Sequence, residues 1–241
     1  MKKSRTLLLT LVMLTLGSSI VYADANNVSK NINIVSQNEV YLPLEQSVYY
    51  PTNRDKNAKL PVVFLVHNGG EDKNAWGDFP QQIANAGFFT VNITWKAWDT
   101  TEVEAAIQYN LTKYADLIDK NKVSFIGGCH GGKDVLQIMS HSELNYKVTS
   151  AAVLSIAEPD QALIDSEKVS HPPILAYYSE KDELGDYYQE ASKKVAKEVI
   201  TEPKKVIALD EKAHGDNIIT KASNKEKVRN DIIAWIKNYN K

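Results

Sequence analysis

From Val62 onward the apolar residues of this chain fall into two alternating patterns: short unbroken runs, and longer stretches in which they recur every three or four positions. Val62–Val66 is the first unbroken run, and its continuity predicts a strand buried on both faces. A helix is expected from about Trp76 to Ala86, stopped by Gly87, and then a strand over Phe88–Ile93. Thr101-Glu102-Val103-Glu104 has the form of a capping box opening a helix with Val103, Ile107, Leu111, Tyr114 and Ile118 on one face. Val123–Ile126 is the next strand, followed by a helix from about His130. Strands are expected at Val148–Ile156, Ile174–Tyr178 and Val206–Leu209, with a helix at Tyr187–Val199. Ser223-Asn224-Lys225-Glu226 caps a last helix carrying Val228, Ile232, Trp235 and Ile236. Upstream, Asp24–Lys30 is polar, three short strand-like pieces follow at Ile32–Val35, Val40–Leu42 and Ser47–Tyr50, and Pro51–Lys59 is a polar turn.

Strands alternating with amphipathic helices predict an α/β fold, a mostly parallel central sheet with helices on both faces. In such sheets sites form beyond the carboxyl ends of the strands. The stretch between Ile156 and Ile174 is short, so no large lid domain is expected there.

The N-terminus adds a different kind of segment. Lys2, Lys3 and Arg5 precede an apolar run from Leu7 to Leu16, and Val21-Tyr22-Ala23 ends it on a small residue. This is the form of a signal peptide cleaved near Ala23, with a run shorter than the roughly 20 residues a membrane span needs. The expectation is a periplasmic or secreted protein whose residues 24–241 form a single domain. No cysteine follows the run, which argues against a lipid anchor. The segment holds three of the 28 basic residues and none of the 30 acidic ones, leaving 25 against 30, a net charge of −5. That balance gives no reason to expect nucleic acid or an anionic membrane as partner, and no later segment is apolar enough to cross a membrane.

Cys129 is the only cysteine, so an intrachain disulfide framework is excluded. In an exported chain such a thiol is either buried and inert or kept for its chemistry. Its setting is the strand Val123–Ile126, then Gly127-Gly128-Cys129-His130-Gly131, then a helix with Val135, Leu136 and Met139. A strand–turn–helix of the form Gly-x-Cys-x-Gly is a nucleophile elbow: glycines at 127 and 131 because any side chain there would meet backbone, and the central residue at a helix N-terminus that favours a thiolate. The alternative is a tight glycine turn around an inert cysteine. A nucleophile of this kind needs an acid and then a histidine further along. Asp182 follows the strand Ile174–Tyr178, and His214 follows the strand Val206–Leu209. Glu180, Glu158 and Asp160 compete with Asp182 for the acid. His67 and His130 lie beside the site but are expected to have other jobs, and His141 and His171 read as surface loop residues. Backbone N–H groups of His130 and of Asn68 or Gly69, in the loop after Val66, are the expected oxyanion hole. Trp95 and Trp98, after Ile93, are candidates for the pocket mouth. No cofactor is expected: no zinc-like ligand spacing and no phosphate or dinucleotide loop is present.

Leu65-Val66-His67-Asn68-Gly69-Gly70, the Gly-x-Cys-x-Gly elbow, Ser179-Glu180-Lys181-Asp182 and Ala213-His214-Gly215 together resemble the α/β-hydrolase superfamily, over about Val48 to Ile236. The cysteine makes the pattern similar to the dienelactone hydrolase branch, whose triad is Cys-Asp-His. The resemblance implies those roles for Cys129, Asp182 and His214. The chain departs from the family in reading His67-Asn68 where His-Gly is usual, and cysteine in place of serine in an esterase lineage is the other origin of the elbow. The expected activity is hydrolysis of a small carboxylic ester or lactone through an acyl-enzyme thioester. Rivals are an acyltransferase or thioesterase with the same residues, a non-catalytic ligand-binding protein of this fold, and a redox-sensing thiol.

Overall fold

Neighbouring residues of one strand feed two different hydrophobic layers. Val62, Phe64 and Val66 join a cluster on one face of the sheet, while Val63 and Leu65 join a second cluster on the other. The strand therefore carries no polar face, as its unbroken run requires. The computed structural model describes residues 34–41, 44–95, 100–141, 144–156, 172–199 and 202–241. The expected signal peptide, Asp24–Lys30, the lid stretch beyond Ile156, Trp98, Glu158, Asp160 and His171 lie outside the described residues.

Eight strands form one sheet: β1 (Ile34–Tyr41), β2 (Leu44–Pro51), β3 (Leu60–Val66), β4 (Phe89–Ile93), β5 (Ile118–Gly128), β6 (Val148–Leu154), β7 (Ile174–Ser179) and β8 (Lys204–Leu209). Their order is β1-β2-β4-β3-β5-β6-β7-β8. β1 pairs antiparallel with β2, and β2 with β4. Every other pairing is parallel. β3 is flanked by β4 on one side and by β5 on the other, and the chain leaves β3 towards β4 but β5 towards β6, so the loops leaving β3 and β5 diverge at a topological switch point.

The described helices are α1 (Phe79–Asn85), α2 (Thr100–Lys113), α3 (His130–Ser140), α4 (Asp186–Lys194), α5 (Asn217–Thr220) and α6 (Lys225–Tyr239). Val103 and Ile107 of α2 and Val135, Ile138 and Met139 of α3 cover one face of the sheet, where Phe64 stacks on Phe125 at 5.8 Å. Phe79 and Ile83 of α1, Ile218 and Ile219 of α5, and Val228, Ile232 and Ile236 of α6 cover the other.

Four local expectations are corrected. The upstream pieces are the two long arms of the β1–β2 hairpin. The helix expected from Trp76 is a single turn, Lys73–Trp76, separated from α1 by Gly77 at φ 56°. Asp72 caps that turn, accepting from the Asn74 amide at 2.6 Å. Ile118 belongs to β5 rather than to the face of α2. Asn224 is the N-cap residue just before α6 but makes no side-chain cap, and Ser223 bonds Glu211 instead.

Candidate active site

Cys129 stands between β5 and α3 with φ 51° and ψ −116°, a left-handed conformation that costs a non-glycine residue strain and is kept only where surroundings enforce it. The enforcement is visible in the backbone. The Cys129 amide donates to the Leu154 carbonyl at 2.9 Å, and its carbonyl accepts from Lys133 at 3.2 Å in the first turn of α3. A methyl group on Gly127 would lie 2.6 Å from the Gly131 carbonyl oxygen and the Gly132 Cα, and one on Gly131 would overlap the carbonyls of Val66 and His67. The two glycines let α3 start directly against β5 and the end of β3.

Asp182 and His214 sit on the loops after β7 and β8. Those loops continue the pairing of their strands: Glu180 N–H bonds the Leu209 carbonyl at 2.8 Å, Lys181 the Glu211 carbonyl at 3.2 Å and Glu183 the Lys212 carbonyl at 2.6 Å. Ser179 Oγ adds a bond to the Ala213 carbonyl. The result brings Asp182 Oδ2 to 2.7 Å from His214 Nδ1, both residues buried. The other carboxylate oxygen accepts from the Leu184 amide at 3.0 Å, so the acid is fixed at both ends. Glu180 is exposed and takes no part in this pair.

Gly215 carries the imidazole against the elbow; a methyl group on it would lie 3.3 Å from Cys129 Cβ. Even so, the thiol hydrogen-bonds elsewhere, with Sγ 3.2 Å from His130 Nδ1. His214 Nε2 is buried and makes no hydrogen bond. The structure thus places the Asp182–His214 pair beside the elbow that carries Cys129, and it adds a second imidazole on the sulfur.

The loop after β3 is held by His67, which is fully buried. Its Nδ1 lies 2.6 Å from the Asn68 carbonyl, and its Nε2 accepts from the Trp95 amide at 3.4 Å. Burial is the leading cause that lowers its pKa below the ordinary imidazole value, so the ring is neutral, with Nδ1–H donating. Trp95 stacks on it at 5.8 Å and donates Nε1–H to the His67 carbonyl at 3.2 Å. Trp95 is only 4 % exposed and belongs to the core. It therefore braces this loop instead of lining a pocket mouth. His141, as expected, is at the surface, 2.8 Å from Glu104.

Several neighbours of the site were not found from the sequence. Tyr188 stands edge-on to the His214 ring at 5.6 Å. Glu183 accepts from the His214 amide at 3.3 Å. Asp216 is buried, its amide pressed against Gly128 on the far side of the elbow. Burial above all raises its carboxyl to about 6, with the Glu71 charge adding to the rise; its own amide, the His214 charge and the Asn68 amide act against it. Only Asp216 had a sequence cue, its place next to His214-Gly215. Among the described residues no group of three or more His, Cys, Asp or Glu side chains is placed to hold a metal ion, and no helix is long and apolar enough to cross a membrane.

No protein-family model and no curated protein matches the chain, but solved structures do. Esterase B from Lactobacillus rhamnosis superposes with a TM-score of 0.67 at 15 % identity, over 86 % of each chain. The same enzyme inhibited by a tributyrin phosphonate matches at 0.66 and 17 % identity, over 91 % of this chain and 89 % of its own. A bacterial heroin esterase gives 0.67 at 14 % identity, over 90 % of this chain and 87 % of its own. Together with the strand order, these matches show that the chain has the α/β-hydrolase fold. A Klebsiella pneumoniae protein assigned as a dienelactone hydrolase also superposes, at 0.62 and 16 % identity, over 86 % of this chain and 100 % of its own.

Proposed function

We propose that this protein hydrolyses small carboxylic esters or lactones, with Cys129 as nucleophile, His214 as base and Asp182 as the acid that orients it. The observation that carries the reading is the buried Asp182–His214 pair beside the elbow, with Nε2 left unsatisfied. A buried polar atom without a partner costs about 1–3 kcal/mol, a cost that makes sense where a reacting group completes the bond. Esterases and a dienelactone hydrolase among the structures of the same fold support the same class, and the tributyrin phosphonate bound by esterase B supports short acyl chains.

In this mechanism the thiol proton passes to His214 Nε2 and the imidazolium is held by Asp182. The sulfur attacks the carbonyl carbon, and the carbonyl electron pair moves to oxygen. The oxyanion rests on the His130 amide and on one from the loop after β3. We assign the second donor to Gly69. The Asn68 amide faces the Asp216 carboxylate, and the Asn68 carbonyl is turned to His67. Across that trans peptide the Gly69 N–H points the opposite way. The oxyanion collapses, the C–O bond breaks, and His214 returns its proton to the leaving alkoxide. Water, losing a proton to His214, then attacks the acyl carbon; the C–S bond breaks with its electron pair returning to sulfur, the acid leaves, and His214 gives its proton back to the Cys129 sulfur. We place this activity in the periplasm or outside the cell, with the N-terminal segment removed.

The test is turnover of a panel of activated esters, lactones and thioesters, with mass spectrometry for an acyl group on Cys129. An acyl adduct on Cys129 and loss of turnover in Cys129→Ala are expected. Turnover unchanged after complete alkylation of Cys129 would overturn the assignment, and transfer to an added alcohol or thiol in preference to water would make the protein an acyltransferase.

A further inference from the structure

We propose that His130 is a second catalytic imidazole: its Nδ1–H donates to the Cys129 sulfur and holds the nucleophile as a thiolate, while the thiol proton passes to His214. The inference rests on Cys129 as nucleophile. It explains a feature which the elbow itself does not require. The glycines at 127 and 131 are dictated by backbone contact, whereas His130 contributes a side-chain atom, placing Nδ1 3.2 Å from Sγ.

Three observations fix the division of labour. His214 Nε2 makes no hydrogen bond, so it is not the group that holds the resting sulfur. It is, however, the imidazole backed by a buried carboxylate, and so the one that can accept a proton and carry the positive charge. His130 occupies the first position of α3, where the positive end of the helix dipole disfavours an imidazolium and favours an anion beside it. A neutral ring with the proton on Nδ1 suits that place and keeps its proton throughout the cycle. Two buried carboxylates flank the elbow, Asp182 behind His214 and Asp216 across Gly128. Negative charge on either opposes a thiolate, and an N–H donor on the sulfur offsets that.

The experiment follows iodoacetamide alkylation of Cys129, and thiolate absorbance near 240 nm, against pH in the full protein. Hydrogen bonds to a charged group are worth about 1.5–3 kcal/mol, so His130→Leu is expected to lower the thiolate fraction at pH 6.5 by about tenfold or more. The acidic limb of kcat/KM should move up with it. His130→Gln, which keeps an N–H donor, should recover most of both. A wild-type alkylation curve in His130→Leu, or a shift that His130→Gln fails to recover, overturns the proposal. Failure of the nucleophile itself is read separately: ester turnover would then survive complete labelling, whatever the curve of the His130 variants.

Discussion

Asp182 Oδ2 and His214 Nδ1 lie 2.7 Å apart and out of contact with solvent, although 32 positions separate them in the chain. Adjacency of β7 and β8 supplies the approach, and the backbone bonds from residues 180, 181 and 183 to the loop after β8 supply the register. The pair is thus built by the sheet rather than by local sequence, and removing the acid should change chemistry more than structure. Asp182→Asn keeps the shape and one acceptor but can favour the wrong imidazole tautomer. We expect kcat for an activated ester to fall by about 10³–10⁴-fold, with the circular dichroism spectrum unchanged. A loss of less than tenfold would show that another carboxylate orients His214.

The elbow glycines make a different prediction, because their neighbours are backbone. Gly131→Ala forces a methyl group into the carbonyls of Val66 and His67, neither of which can swing aside. Overpacking in a rigid core costs about 1–3 kcal/mol and more against main chain, so a large fall in Tm or failure to accumulate folded protein is expected. Gly70→Ala is the control. Gly70 has φ 83° with nothing within 4 Å of the added methyl, so the substitution should cost only about 1 kcal/mol of backbone strain. Equal Tm losses in the two variants would mean that crowding at the elbow is not what Gly131 relieves.

How far the sequence foretold this molecule follows from what each signal depends on. Buried parallel strands read clearly because Val62–Val66 and Val123–Ile126 have no polar face. The elbow read clearly because both of its glycines answer a local steric demand. Asp182 and His214 could be found because strand ends are where this architecture collects its chemistry. The broken helix at Gly77 was missed because Trp76, Phe79 and Ile83 keep helical spacing across a turn set by Asp72. Trp95 was misread because its burial against His67 is a contact between two loops, and Tyr188 approaches His214 from a helix in another part of the chain. The positive φ of Cys129 and the approach of His130 Nδ1 to its sulfur are features of the folded turn that the letters do not show.

The N-terminal segment gives a prediction independent of the site. Export with cleavage near Ala23 is the outcome expected from its charged start, short apolar run and small final residue. Edman sequencing of the native protein from periplasm or medium should begin near Asp24. An intact Met1 on protein confined to the cytosol would refute both the processing and the compartment.

Asp216 yields the pH dependence. Burial raises its carboxyl from 3.8 in the unfolded chain to about 6 in the folded one, so the folded state binds this proton more tightly. Stability from this group is therefore fully present below about pH 4, where both states are protonated. It declines as pH rises towards 6, while the unfolded chain ionises and the folded chain does not, and above that the loss is complete. The total is on the order of 2–3 kcal/mol. Asp216→Asn keeps an oxygen for the Asn68 amide and removes the charge. The variant should therefore be more stable than the wild type at pH 8, with the advantage shrinking to nothing near pH 4. Urea unfolding at pH 4, 5, 6 and 8 measures it directly. A difference between the two proteins that stays constant across that range, or that grows on acidification, would show that the buried carboxyl is not held above its ordinary range.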